Sequence, residues 1–425
     1  MNRSQTALAL VPEEPVAESI TNLQPIQPID APQAQTSAAV GTLRACITAL
    51  VVAHHAVLAY HPYAPAPAAS LTAQPRWWQA FPIVDSQRWG GFGLLTLFND
   101  IFFMSLMFFL SGLFVWHGLQ QKGSGGFLRR RVLRLGLPFV LAAAFVAPLA
   151  YFPTYLATGT APSLSGFWRQ WSSLGQWPAG PAWFLWVLLT FDALAAALFL
   201  LLPKWGDTLG RFAANAARRP AAFFWLLAAI SAVAYIPMAV AFSSVAWFSF
   251  GPFVVQTSRL LHYAVYFLAG AGVGAYGLEK GLLAPDGKLA RRWPTWLSLS
   301  LGAFTVALVI LIAALSSPSK PKLWETIGGF AFVLSCAASS FAFLALFVRF
   351  AKTRTRIFDS LRSLRENAYG IFLIHYAFVS WLQYALLKTS LPGLAKGSCV
   401  FLGALALSWG ATAALRRIPA VARVI

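Results

Sequence analysis

Arg44 and His55 stand eleven residues apart in the apolar stretch Leu43 to Tyr60. Eleven helical steps come within about 20° of whole turns, so both side chains share one face, roughly 16 Å apart along the axis. His54 points about 80° away from that face. A hydrocarbon core is roughly 30 Å thick, so an arginine at one interface sets His55 near mid-membrane. An imidazole at that depth either does chemistry or joins helices by a hydrogen bond. The chemistry open to an imidazole there is proton transfer or nucleophilic catalysis.

Further polar groups sit in apolar runs. His375, in NAYGIFLIHYAF, lies about 12 Å in from the inner end of its helix, close to the depth of His55. Tyr369 lies one and two-thirds turns earlier on another face. Asp192 falls in the middle of its run, and Asn99 and Asp100 in the outer part of theirs. Each acid either orients a histidine or pairs with an arginine. In KGSGGFLRRRVLRLGLP, Arg131 and Arg134 share a helix face. With Arg129 and Arg130 they either grip phosphates bidentately or serve topology and lipid headgroups. His61, His117 and His262 read as interfacial side chains. No Gly-x-Ser-x-Gly, His-Glu-x-x-His or Cys-x-x-Cys occurs. Cys46, Cys336 and Cys399 lie in apolar runs and spell neither a disulfide framework nor a metal site.

The elements that carry these residues follow from composition. The 425 residues are 58% hydrophobic and only 11% charged, with a mean hydropathy of +0.64. Soluble domains run near 25% charged residues, so the chain is an all-α polytopic membrane protein. Ten spans are expected, near 43–60, 94–117, 132–152, 181–203, 221–242, 258–278, 295–315, 324–349, 367–387 and 397–415. The net charge of +19 would suggest nucleic acid in a soluble chain. Here 24 of the 32 lysines and arginines fall in alternate loops, which puts both termini on the cytoplasmic side. Residues 1–40 read as a disordered cytoplasmic tail without a signal peptide, 41–417 as the membrane domain and 418–425 as a short cytoplasmic tail. The outer loops are tryptophan-rich, with Trp77, Trp78, Trp89, Trp168, Trp171 and Trp177. They read as an interfacial belt first and as sugar-stacking rings second. Matching Gly/Pro-broken helices in two halves, the pointer to a transporter, are missing.

Taken together, the motifs resemble the acyltransferase 3 family of bacterial membrane acyltransferases over nearly all of residues 41–415. The resemblance is carried by Arg44 and His55, by MSLMFFLSGLF with Ser111 and Gly112, and by Arg131 and Arg134. Trp183, Phe184 and Leu185 add to it, as do Tyr369, Ile371, Leu373 and His375. The run before Ser111 is most similar to the glucans biosynthesis protein C-like branch. One departure is the absence of an acid shortly before Arg44, where the chain reads AVGTLR. The resemblance implies a multi-pass protein of the bacterial inner membrane that moves an acyl group, acetyl or succinyl, to a hydroxyl of an extracytoplasmic glycan or glycolipid. The donor would be cytoplasmic acetyl-CoA or succinyl-CoA, with no metal and no nucleic acid. Arg44, Arg130, Arg131 and Arg134 would bind its anionic part. His55, His375 and Tyr369 would do the chemistry, with Ser111, Trp183, Asp100 and Asp192 in support. No soluble acyltransferase domain follows the last span, so outer-side chemistry would fall to the bundle or to a periplasmic partner. The rival readings are a proton-coupled transporter or flippase of a glycan or lipid precursor, and a non-catalytic scaffold.

Overall fold

In lipid each backbone polar group must be paired within its own segment, and runs this apolar therefore form helices. The computed structural model of the chain describes residues 31–159, 162–317, 319–350 and 362–425. The helices are α1 (Ala31–Val57), α2 (Gly91–Gly112), α3 (Val115–Ala157), α4 (Leu164–Ser172), α5 (Trp183–Leu201), α6 (Trp205–Arg218) and α7 (Pro220–Phe242). After a two-stranded hairpin, β1 (Trp247–Phe250) and β2 (Phe253–Gln256), come α8 (Leu260–Tyr276), α9 (Lys288–Arg291), α10 (Trp293–Ser316) and α11 (Pro321–Phe350). The chain continues with α12 (Arg362–Leu386), α13 (Gly393–Leu415) and α14 (Pro419–Ala422). Among the described residues, eight helices are long and apolar enough to cross a membrane. The other two expected spans are also helices. α8 has only 17 residues, and α12 is diluted by His375, Gln383 and three tyrosines.

Three expectations need correction. The first helix begins at Ala31, so the expected tail is ten residues too long at its end; Ala39 and Val40 are buried. The rest of that tail, residues 1–30, lies outside the described residues, as do Lys352, Arg354 and Arg356. The second span stops at Gly112 instead of 117, and the third runs as one helix from Val115 to Ala157 broken at Gly123, whose φ of 64° is left-handed. The outer loops are folded and include α4 and the hairpin.

Close helix contact positions the site. A Cβ at Gly270 would lie 2.0 Å from the Phe109 carbonyl oxygen, and one at Gly274 would lie 1.9 Å from that of Leu113. These two glycines, four apart on α8, let its backbone meet α2 directly. α1 packs between α2 and α12, and α12 packs on α13. α3 carries two wide π-turns, Val132–Gly136 and Ala142–Val146. At each, a side chain from another segment donates to a carbonyl: Tyr369 to Arg134, and Trp177 Nε1 to Ala143 at 2.7 Å.

At the end away from most arginines, the loop after α1 folds back on it. The Asp85 amide donates to the Ala59 carbonyl at 2.9 Å and the Trp89 amide to that of Tyr60 at 3.0 Å. A fully buried ion pair, Lys396 Nζ to Asp85 Oδ2 at 2.7 Å, locks this loop to α13. Trp78, Tyr151, Phe167 and Trp171 are buried together beneath it. Those tryptophans therefore form the core of a cap. Only Trp77, Trp89 and Trp168 of the expected belt are well exposed.

Candidate active site

The antiparallel packing of α1 on α2 sets the heights of the candidate residues. The Arg44 guanidinium lies 5.7 Å from the ring of Phe114, just beyond the end of α2. The His54 ring is 5.4 Å from that of Phe103, near the middle of α2. His375 is likewise near the middle of α12. The histidines of α1 therefore stand level with the middles of α2 and α12.

His55 and His375 meet, with His375 Nε2 3.2 Å from His55 Nδ1. Their tautomers follow from the carbonyls beside them, because a carbonyl can only accept. His55 Nδ1 is 2.8 Å from the Val51 carbonyl and must carry its proton. His375 Nδ1 is 2.8 Å from the Phe372 carbonyl, so its Nε2 presents a lone pair to His55. The Nδ1–H of His55 thus faces two acceptors, and its Nε2 keeps a free lone pair. Among the described residues that Nε2 has no hydrogen bond. Tyr376, which was not singled out from the sequence, packs edge-on against His55 with ring centroids 5.1 Å apart. Its hydroxyl and that of Tyr151 both donate to the Gln79 carbonyl, tying the histidine pair to the outer cap. Gln383 Nε2 caps α1 by donating to the His55 and Ala56 carbonyls at 2.9 and 3.0 Å.

Below the pair, at the arginine-rich end, a cavity of about 520 Å³ opens. Arg44, Arg131 and Arg134 line it, together with Ser111 and Tyr369. Arg365 and Arg416, counted only as topology charges in the sequence, line it as well, as do Glu366 and the C-terminal residue Ile425. Five guanidinium groups around one cavity suit a ligand with several anionic oxygens. Thr48, Phe184 and Phe372 also line it. The rings of Phe184 and Phe372 are 5.8 Å apart, and Phe372 is 6.1 Å from His375. One aromatic layer therefore separates the cavity from the histidine pair.

Other candidates fall elsewhere. Tyr369 belongs to the cavity wall, where its hydroxyl is engaged by the Arg134 carbonyl, not to the histidine pair. Arg130 is exposed and off the cavity, because its neighbour on the helix turns inward instead. Asp192 is fully buried beside Arg131 at 3.2 Å, and Asp100 is bound bidentately by Arg259. Both acids thus pair with arginine rather than orient a histidine. Ser111 donates to the Met107 carbonyl at 2.8 Å. Trp183 stacks on Tyr263 and touches Trp247, away from His55. His262 is fully buried against Cys336, which corrects its interfacial reading. His61 stays at the outer end on Thr96, and burial, then the Arg88 charge, hold its imidazole below the usual range.

Arg365 and Arg416 had no distinguishing signal, since their convergence depends on how α12 and α13 pack. Tyr376 did have one: it is an aromatic beside an intramembrane histidine.

No curated protein and no solved structure matches the chain. The acyltransferase domain family matches residues 38–413, nearly the whole membrane domain, without distinguishing a branch within the family. With an arginine-lined cavity below a paired histidine and that match along its length, the chain belongs to the acyltransferase 3 family, and it is a multi-pass membrane acyltransferase.

Proposed function

We propose that the protein transfers an acyl group, acetyl or succinyl, from cytoplasmic acyl-CoA to a hydroxyl of an extracytoplasmic glycan or glycolipid, in the bacterial inner membrane. The observation that supports this reading is the five-arginine cavity, one of whose wall residues, Phe372, lies beside His375, the hydrogen-bonding partner of His55. The phosphates of the donor pair with Arg44, Arg131, Arg134, Arg365 and Arg416. Its flexible thioester arm passes Phe184 and Phe372, whose rings must part to admit it.

At the top of that path His55 Nε2 takes the proton of the acceptor hydroxyl while the oxygen attacks the thioester carbonyl. The C–O bond forms, the C–S bond breaks, and the thiolate leaves toward the arginine side and takes up a proton. As the His55 ring gains charge, its Nδ1–H strengthens its bonds to the Val51 carbonyl and His375 Nε2, so His375 positions and stabilises the base. The arginine-rich loops support a cytoplasmic donor side.

The test is incubation of the purified protein with radiolabelled acetyl-CoA and succinyl-CoA together with the cell's own envelope glycans. Thioester consumption with labelled glycan is expected. Proton-coupled uptake of a glycan or lipid precursor with no thioester turnover would replace this reading with the transporter one.

A further inference from the structure

A second basic cavity lies at the corner where α6 turns into α7. α6 is too short and too polar to span a membrane. Its buried positions Gly206, Gly210 and Ala213 share one face, while Thr208, Arg211, Phe212, Asn215 and Arg218 are exposed. The small face meets the last turns of α8. A Cβ at Gly210 would lie 3.4 Å from that of Ala275, and one at Gly272 would lie 3.0 Å from the Leu209 carbonyl oxygen. Trp116, just past the Phe114 ring that meets Arg44, donates from Nε1 to Asp207 at 3.1 Å. α6 therefore lies at the arginine-rich end of the bundle, at the level of lipid headgroups, with Phe212 and Asn215 on the side turned away from α8.

The corner holds a cavity of about 440 Å³, lined by Phe212, Asn215, Arg218 and Arg219 on one side and by Phe223 and Leu226 of α7 on the other. It shares no residue with the five-arginine cavity. Arg218 and Arg219 are exposed, and among the described residues only their backbone groups are engaged, the Arg218 carbonyl by Lys288 Nζ at 2.9 Å. Two adjacent guanidinium groups without an acid partner suit an anion, and a phosphate best. The apolar wall decides what carries that phosphate. Leu226 is 47% exposed and begins a stripe with Ile230 and Val233, four and seven residues further along the same face of a membrane-crossing helix and both exposed. The cavity thus leads from a cationic end onto a surface that only lipid covers. A free anion would use the arginines and leave that stripe without a role, whereas a phosphate joined to acyl chains uses both. Asn215 adds an amide that can donate to and accept from headgroup hydroxyls.

We infer that the α6–α7 corner binds an anionic phospholipid from the leaflet at the arginine-rich end, its phosphodiester paired with Arg218 and Arg219 and its acyl chains laid along Leu226, Ile230 and Val233. The site is separate from the donor cavity and does not depend on the transferase reading.

The experiment is native mass spectrometry of the full-length protein, delipidated in detergent and titrated with phosphatidylglycerol or phosphatidylcholine. The wild type should retain phosphatidylglycerol in preference to phosphatidylcholine. Arg218→Gln combined with Arg219→Gln should weaken that retention at least about tenfold. Arg211→Gln, which removes an exposed arginine of α6 outside the cavity, should leave it unchanged. Arg218→Lys combined with Arg219→Lys keeps both charges but loses the planar fork. It should weaken retention several-fold, and it carries the test if the glutamine variant does not accumulate. Excess glycerol 3-phosphate, a headgroup without chains, should displace no bound lipid. Equal retention of the two lipids, an equal loss in Arg211→Gln, or unchanged retention in the cavity variant tested overturns the site. Displacement by glycerol 3-phosphate overturns the lipid assignment, because the arginines alone would then account for binding.

Discussion

With its Nδ1–H committed to the Val51 carbonyl and His375 Nε2, His55 has one ring nitrogen left to receive a proton. His54 has a different environment, against Phe103, with a buried and unpartnered Nδ1. General-base assistance contributes about 10²–10⁴-fold. His55→Ala should therefore reduce transfer at least about a hundredfold with insertion and expression unchanged, while His54→Ala costs far less; kinetics on the two purified variants make the comparison. Equal losses would mean that helix phase does not select the reactive face. The shared face of Arg44 and His55 was legible from their eleven-residue spacing, because helix phase is a local property. The His55–His375 contact was not, because it depends on the distance between α1 and α12. The same limit explains Asp100 and Asp192, whose depth was readable but whose partners lie on other helices.

Elements determine which charges converge. α12 brings Arg365 and α13 brings Arg416 to the cavity that α1 and α3 already line. A hydrogen bond to a charged group is worth about 1.5–3 kcal/mol, so Arg365→Ala or Arg416→Ala should raise the donor KM about 10- to 100-fold, leaving the acceptor KM unchanged. Steady-state titration of acyl-CoA is the measurement. Ten apolar runs predicted ten helices because lipid allows little else, and their order survived intact. What composition missed was the irregular part: the π-turns near Arg134, the folded cap, and the hairpin, all specified by contacts between distant segments. Removing one member of a buried ion pair costs about 3–5 kcal/mol, so Lys396→Met should lower thermal stability by that order, with Asp85→Leu in the same chain restoring much of it. Gly270→Val should prevent a stable fold, since its side chain would overlap the Phe109 carbonyl.

For the whole molecule the account requires a donor side and an acceptor side joined through the bundle. The arginine cavity opens at one end, the tryptophan-bearing cap closes the other, and the paired histidines sit between them. Donor supplied only to the arginine-rich face of oriented proteoliposomes should sustain transfer, and donor supplied only to the cap face should not. The most direct measurement of the central claim is thioester turnover and glycan labelling by wild-type and His55→Ala proteins at matched melting temperature. The account predicts that both readouts fall together by two orders of magnitude or more in the variant. Wild-type turnover in His55→Ala would contradict it.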